Sequence, residues 1–329
     1  MYAALDLHQK TVQAVVKEED GTLVKEAKMR RDGKEILEFL NGTNAEVVME
    51  SGLNHQYIRD LLKENSYDVK VAHPLMVKAI AYARVKSDRV DARTPTDLLR
   101  AKMIPEAYIP DKEIRDLRDL VRRRHRFVEV RTMFKNRIQA ELAKRWISYS
   151  DEGYQGKLFT QEGRSYLRSL HIDAIDDYLD AVEYNDRKIR ELDWKVRTTA
   201  ENDRYAKLLI TIPGVSYYGA LLISSEIADV GRFPEYTHLC SYARLVPATH
   251  QSGETSYTYS NKKGSSYLNW IMIQCTRSHV RTCESAITRH YNEVRKRRDE
   301  NVAIVAAARK LMRAMYIMLK EEQPFRLDG

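Results

Sequence analysis

Tyr2-Ala3-Ala4-Leu5-Asp6-Leu7-His8 and, further along, Ala45-Glu46-Val47-Val48-Met49-Glu50-Ser51 are the stretches on which the reading of this chain turns. Each is a mostly apolar run of strand length with a carboxylate at or near its C-terminal end. An ionised carboxylate in such a place is costly unless it is paired, solvated or holding a metal. Working outward, Thr11 to Lys17 alternates through Val12, Ala14 and Val16, which predicts a second strand. Asp20-Gly21 is a hairpin-turn signal, so Leu23 to Met29 can pair as a third strand. Lys34 to Leu40 has helical spacing through Ile36, Leu37 and Leu40, and Ile58, Leu61 and Leu62 mark another amphipathic helix. Val69-Lys70-Val71-Ala72 reads as a strand stopped by Pro74, and Leu75 to Tyr82 as a helix.

Three antiparallel strands followed by helix, strand, helix, strand is the ribonuclease-H-like order. Residues 1–110 are therefore expected to be an α/β domain, and in that fold the first strand and the next central strand carry acidic ligands at neighbouring positions. A second acidic pair lies in Lys86-Ser87-Asp88-Arg89-Val90-Asp91-Ala92. Asp88 and Asp91 are three apart, which puts both carboxylates on one helix face. Asp6, Glu50, Asp88 and Asp91 converging on one point would suit magnesium or manganese, because hard cations take oxygen ligands. Two such ions can clamp the attacking and leaving oxygens of a phosphoryl transfer. The competing reading is plain: the chain has 47 Asp and Glu residues, and Asp88-Arg89-Val90-Asp91 alone suits a solvated helix start. Pro95 means that this helix ends near Arg93 or that a new one begins at the proline.

Residues 111–147 read as one long basic helix, with apolar positions from Ile114 through Val121, Phe127 and Ile138 to Leu142. Its densest charge is Arg122-Arg123-Arg124-His125-Arg126, more than solubility requires. Arg122, Arg123, Arg124 and Arg126 are candidate phosphate contacts, since Arg presents bidentate donors; a solvated coiled-coil face is the alternative. Residues 148–165 look like a loop, and a second helix is expected from about Ile175 to Glu201. Two long helices around a loop suggest an antiparallel or dimerising coiled coil over 111–204. From Tyr205 the chain should be mostly helical. Ile212-Pro213-Gly214-Val215, followed by Gly219-Ala220-Leu221-Leu222, resembles a helix-hairpin-helix, in which the turn at Gly214 aims N–H groups at a phosphate. A packing joint is the alternative. Beyond it come His250-Gln251-Ser252-Gly253-Glu254, a strand-like stretch with Tyr257 and Tyr259, and a basic turn with Lys262 and Lys263. Two helices, about 265–282 and 302–320, are expected to finish the chain.

The chain has 329 residues and a net charge of +8. A pI near 9.2 favours a polyanionic partner, nucleic acid before membrane, because no long apolar run exists. No signal peptide is visible, and Cys240, Cys275 and Cys283 form no CxxC pattern. A cytoplasmic protein with reduced thiols and no zinc site is expected.

Taken together these segments resemble the DEDD-type transposases of the insertion sequence one-ten family, recombinases guided by a bridge RNA. The acidic quartet, Tyr242-Ala243-Arg244-Leu245-Val246-Pro247, Gln251-Ser252-Gly253, Lys263-Gly264 and Ala308-Arg309-Lys310-Leu311 carry the resemblance through their order and spacing. The resemblance implies a RuvC-like catalytic domain (1–110), a coiled-coil region (111–204) and a C-terminal transposase domain (205–329). It makes Ser252 the nucleophile, which spacing alone does not show. It implies DNA partners at the element ends and target, and a homo-oligomer in which dimers pair into a tetramer. The chain departs from the family pattern at Thr94-Pro95-Thr96 and Tyr257-Thr258-Tyr259-Ser260-Asn261. Two rival functions remain: a RuvC-like junction nuclease using water, and a non-catalytic nucleic-acid-binding protein.

Overall fold

A computed structural model describes residues 1–52, 55–74, 77, 95–246, 248–252, 255–259 and 264–327, with residues 248–252 and 255–259 described by backbone alone. The chain divides into two compact units, Met1–Ile109 and Pro110–Gly329.

The first unit contains β1 (Tyr2–Leu7), β2 (Thr11–Lys17), β3 (Leu23–Arg30), α1 (Gly33–Leu40), β4 (Glu46–Glu50), α2 (His55–Glu64) and β5 (Val69–Ala72). Its strands form one mixed sheet in the order β3-β2-β1-β4-β5. The hairpin strands pair antiparallel, while β1–β4 and β4–β5 are parallel. The alternation that predicts the strands also sorts the side chains. Ala3, Leu5, Val12, Ala14, Val16, Val47, Met49 and Val71 meet Ile36, Leu40, Ile58 and Leu62 of α1 and α2 on one face. Burying each larger aliphatic side chain there contributes roughly 1.5–3 kcal/mol. On the other face Ala4, Val48 and Ala72 pack against Val77 and Leu99. Residues 95–100 are helical. Lys17 donates to Asp97 at 2.6 Å, which ties that turn to the second face.

The second unit is helical apart from one ribbon. It runs α3 (Lys112–Lys144), α4 (Gln161–Ser169), α5 (Asp173–Ala200), α6 (Arg204–Leu209), α7 (Tyr217–Ile227), α8 (Tyr236–Tyr242), β6 (Ala248–Ser252), β7 (Thr255–Tyr259), α9 (Ser266–Thr282), α10 (Ala286–Arg295) and α11 (Glu300–Glu321). Helix α3 has 33 residues, so it is about 50 Å long at 1.5 Å per residue. It lies antiparallel to α5, as the Arg124–Asp193 and Arg131–Asp186 ion pairs require. Their far ends close on α4 around Ile138, Leu142, Leu158, Leu167, Ile175, Leu179 and Val182. Helix α7 is buried all round from Tyr218 to Ile227 and is the centre of the larger core with α9 and α11. An apolar helix without a polar face belongs in such a position.

Two sequence expectations are corrected. The loop expected over 148–165 stops at Thr160, whose side chain accepts from Gly163 N and starts α4. The glycine that suggested a loop is the residue an N-cap needs, because Cβ there would stand 2.4 Å from the Leu158 carbonyl oxygen. The chain also ends in three helices after the ribbon rather than two. Ser285 accepts from Ile287 N and Thr288 N and begins α10. The α/β plus α class is the one the chain adopts. Among the described residues no helix is long and apolar enough to cross a membrane.

Candidate active site

The parallel pairing of β1 with β4 runs Tyr2–Glu46, Ala3–Val47, Ala4–Val48 and Leu5–Met49. Continued by one residue, this register sets Asp6 beside Glu50. Directly paired residues in a sheet share a face, so both carboxylates belong to the face of Ala4 and Val48. Asp6 is also opposite Gln13 of β2, and Glu50 opposite Ala72 of β5. His8 Nε2 lies 3.1 Å from Asp6 Oδ2. Two carboxylates from neighbouring strands form a hard-oxygen pair of the kind magnesium or manganese takes. Among the described residues no group of three or more His, Cys, Asp or Glu is placed to hold a metal ion. Asp88 and Asp91 lie outside the described residues. Val77 and Leu99, on either side of that segment, both pack on the carboxylate face.

Ser252 ends β6 and pairs with Thr255, the first residue of β7. The stem of this ribbon is held by a set of polar contacts. Ser265 N donates to Tyr242 O at 2.8 Å. Arg244 Nε donates to Gly264 O at 3.0 Å, and Asn269 Nδ2 reaches the carbonyls of Ala243 and Arg244. Gly264 has φ +101°, and a Cβ there would fall 2.2 Å from Tyr242 O, so only glycine lets the two stems approach this closely.

Beneath the stem is Glu226, 0% exposed. Its Oε2 accepts from Ser265 Oγ at 2.8 Å, and its Oε1 accepts from Arg122 Nε at 2.8 Å and Nη2 at 2.6 Å. A buried carboxylate with a bidentate arginine and a hydroxyl is fully compensated; stripped of them it would be strongly destabilising. Sequence reasoning missed Glu226, although a lone acid in Leu221-Leu222-Ile223-Ser224-Ser225-Glu226-Ile227 was a signal that a distant cation must meet it.

The four arginines of the basic run therefore divide. Arg122 is engaged by Glu226, with its guanidinium 4.7 Å from the Tyr267 ring centroid. Arg124 pairs with Asp193 and lies 4.3 Å from the Tyr218 ring centroid. Burial pushes the Tyr218 hydroxyl above its ordinary range, against the pull of Arg124. Arg123 and Arg126 are exposed and form no ion pair among the described residues. At Gly214 (φ +89°) a Cβ would stand 2.6 Å from His279 N, so the turn before α7 is packed on α9. His279 Nδ1 donates to Pro213 O at 2.8 Å and fixes that joint. Lys262 and Lys263 lie outside the described residues. The buried thiols of Cys240 and Cys275 are pushed up by burial, to about 11 and about 12.

Comparison with known proteins agrees with both units. A family described as "Transposase", the DEDD transposases of IS110 type, matches residues 3–146, and one described as "Transposase IS116/IS110/IS902 family" matches residues 206–292. A "Probable family 20 transposase" of Pseudomonas aeruginosa is 24% identical over 85% of each chain. A "Pilin gene-inverting protein" of Moraxella bovis is 26% identical over 79% of this chain and 74% of its own. A "Transposase for insertion sequence element IS1328" of Yersinia enterocolitica is 22% identical over 85% of each chain. The class so defined is that of transposases, enzymes that cut and rejoin DNA. Within it, the chain belongs to the IS110 family.

Proposed function

We propose that this transposase moves an insertion sequence by metal-dependent cleavage, exchange and rejoining of DNA strands through a phosphoserine. The observation that carries the reading is the register that puts Asp6 beside Glu50, in a chain of this family. Residues 1–110 act as a RuvC-like domain, 111–204 as a coiled coil and 205–329 as the domain that bears the nucleophile. Asp6 and Glu50, joined by Asp88 and Asp91, hold magnesium or manganese. Bound there, the metal neutralises charge on the phosphate oxygens and favours departure of the leaving oxygen.

Ser252 Oγ attacks phosphorus. An O–P bond to serine forms, a P–O bond to deoxyribose breaks, and the hydroxyl proton ends on the departing oxygen. Rejoining is the reverse: a deoxyribose hydroxyl attacks the phosphoserine and its proton returns to Ser252. The number of phosphate ester bonds is unchanged throughout, so no ATP is needed. Glu226 and Ser265 act through position, by holding the stem of the ribbon. Arg123, Arg126, Lys262, Lys263 and the Gly214 turn contact nucleic acid, with Arg122 and Arg124 orienting that helix. The partners are element-end and target DNA and a bridge RNA, whose pairing chooses the target while the protein reads backbone and duplex shape. Dimers pair into a tetramer, with serine and carboxylates supplied by different protomers, in the cytoplasm.

The test is strand cleavage of labelled element-junction DNA by the full chain with its co-purified RNA. Cleavage is expected with magnesium, lost with a chelator, restored by manganese, and lost in Asp6→Asn. Full cleavage by Asp6→Asn, or in chelator, would overturn the reading.

A further inference from the structure

A second cluster of charge begins about one and a half turns along α3 from the arginine run, where α3, α4 and α5 meet. Asp186 of α5 is 9% exposed and takes two arginines. Its Oδ1 accepts from Arg131 Nη1 at 2.9 Å and its Oδ2 from Arg164 Nη2 at 2.5 Å. Lys135, one turn beyond Arg131, completes the group. Its Nζ sits 4.7 Å from the Phe159 ring centroid and forms no ion pair or hydrogen bond among the described residues. The charged groups that act on Lys135 are Arg131, Asp186 and Arg164, so three cations share one carboxylate. All three are half-buried rather than solvated. Arg131 Nε is also buried without an acceptor.

This is an unusual balance. Burial pushes the Lys135 ammonium below its ordinary range, and Arg131 and Arg164 push it further, against the pull of Asp186. A half-buried surplus of positive charge destabilises the fold by itself, because both desolvation and like-charge repulsion act on it. Arg124 and Arg122, by contrast, each have an acid of their own. An added anion would halve the imbalance, accept from Lys135 Nζ, and gain from the lower local dielectric.

We propose that Arg131, Lys135 and Arg164 form a phosphate-binding subsite, in which a backbone phosphodiester of nucleic acid supplies the second anion that Asp186 leaves wanting. The proposal rests on the reading that this chain binds DNA and RNA; it adds a place, on the three-helix end of the α3–α5 pair, that the arginine run does not mark. Guanidinium forks suit a tetrahedral phosphate, and a diester's single negative charge would halve the surplus of two positive charges.

Lys135→Met tests it, because it removes one charge and leaves both Asp186 pairs intact. Binding of the full chain to labelled element-junction duplex and to its co-purified RNA would be measured in separate arms across a salt series. In the arm that uses the site, affinity falls and the slope of log K against log salt shrinks, by about 0.9 for duplex or about 0.7 for a single strand. The melting temperature of the free protein holds or rises, since a disfavoured charge is gone. Lys135→Gln gives the same answer should the methionine variant fold poorly. Slopes equal to wild type in both arms overturn the subsite, as does failure of the wild-type chain to bind either nucleic acid. Neither slope depends on strand cleavage, so the phosphoserine reading fails or stands separately in the Asp6→Asn and chelator experiment.

Discussion

The carboxylates and the serine are both carried on β-structure, but the two supports differ. β1 and β4 are inner strands of a five-stranded sheet, with neighbours on each side and apolar cores on both faces. β6 and β7 form a sheet of two. A two-stranded ribbon is marginal alone, so its placement depends on what grips its stem. Here the grip is Ser265, Arg244, Asn269 and the buried Glu226 beneath them. The contrast teaches where each part can be broken. Asp6 and Glu50, on inner strands, are fixed by the whole sheet, whereas Ser252 depends on a few hydrogen bonds at the stem of its ribbon.

The comparison breaks most completely in a mixing experiment. Asp6→Asn and Ser252→Ala chains should each be inactive alone, while an equal mixture regains strand cleavage, because a hybrid assembly contains one site with both groups intact. A mixture as inactive as its components would place serine and carboxylates on the same protomer.

Ser265→Ala sharpens the contrast at smaller scale. It removes the hydroxyl that caps α9 and reaches Glu226, and should cost about 1 kcal/mol of stability. Adduct formation at saturating DNA should slow by about tenfold, the rate equivalent of about 1.4 kcal/mol at the barrier. DNA affinity should be unchanged, and Ser265→Thr should restore the rate. Equal loss of rate and affinity would mean general unfolding instead of lost placement.

The smallest effect is in acid. Burial raises the Asp186 carboxyl, but hydrogen bonds from Arg131 and Arg164 outweigh it and leave it below its ordinary value of 3.8. A depressed carboxyl contributes stability that is present above its unfolded value and lost as pH falls through the folded one. Melting temperature should therefore drop more between pH 5 and pH 3 in wild type than in Asp186→Asn. Parallel curves would contradict the assignment.

Much of the first unit was legible because each strand shows its period and each acid breaks an apolar run. Asp6 and Glu50 stand out by position alone, yet their adjacency needed the parallel register. The arginine run shows the limit. Its charge density is visible, but Arg122 finds Glu226 and Arg124 finds Asp193 across long stretches of chain, and local counting cannot register such partners. The Lys135 cluster was hidden for the opposite reason: its cations come from two helices, and no short window collects them. Helix α10 was missed because Cys283-Glu284 interrupts the pattern only briefly before Ser285 restarts it, with Ile287, Tyr291 and Val294 at helical spacing. Ser252 has no local signature, and its role enters through resemblance to the family.

The most direct measurement is a denaturing gel of the full chain and its co-purified RNA with labelled element-junction DNA and magnesium, followed by mass spectrometry of the shifted band. The account predicts a covalent protein–DNA adduct on Ser252, absent in Ser252→Ala. Strand cleavage by Ser252→Ala at the wild-type rate, with no adduct in either protein, would contradict it and leave water as the nucleophile.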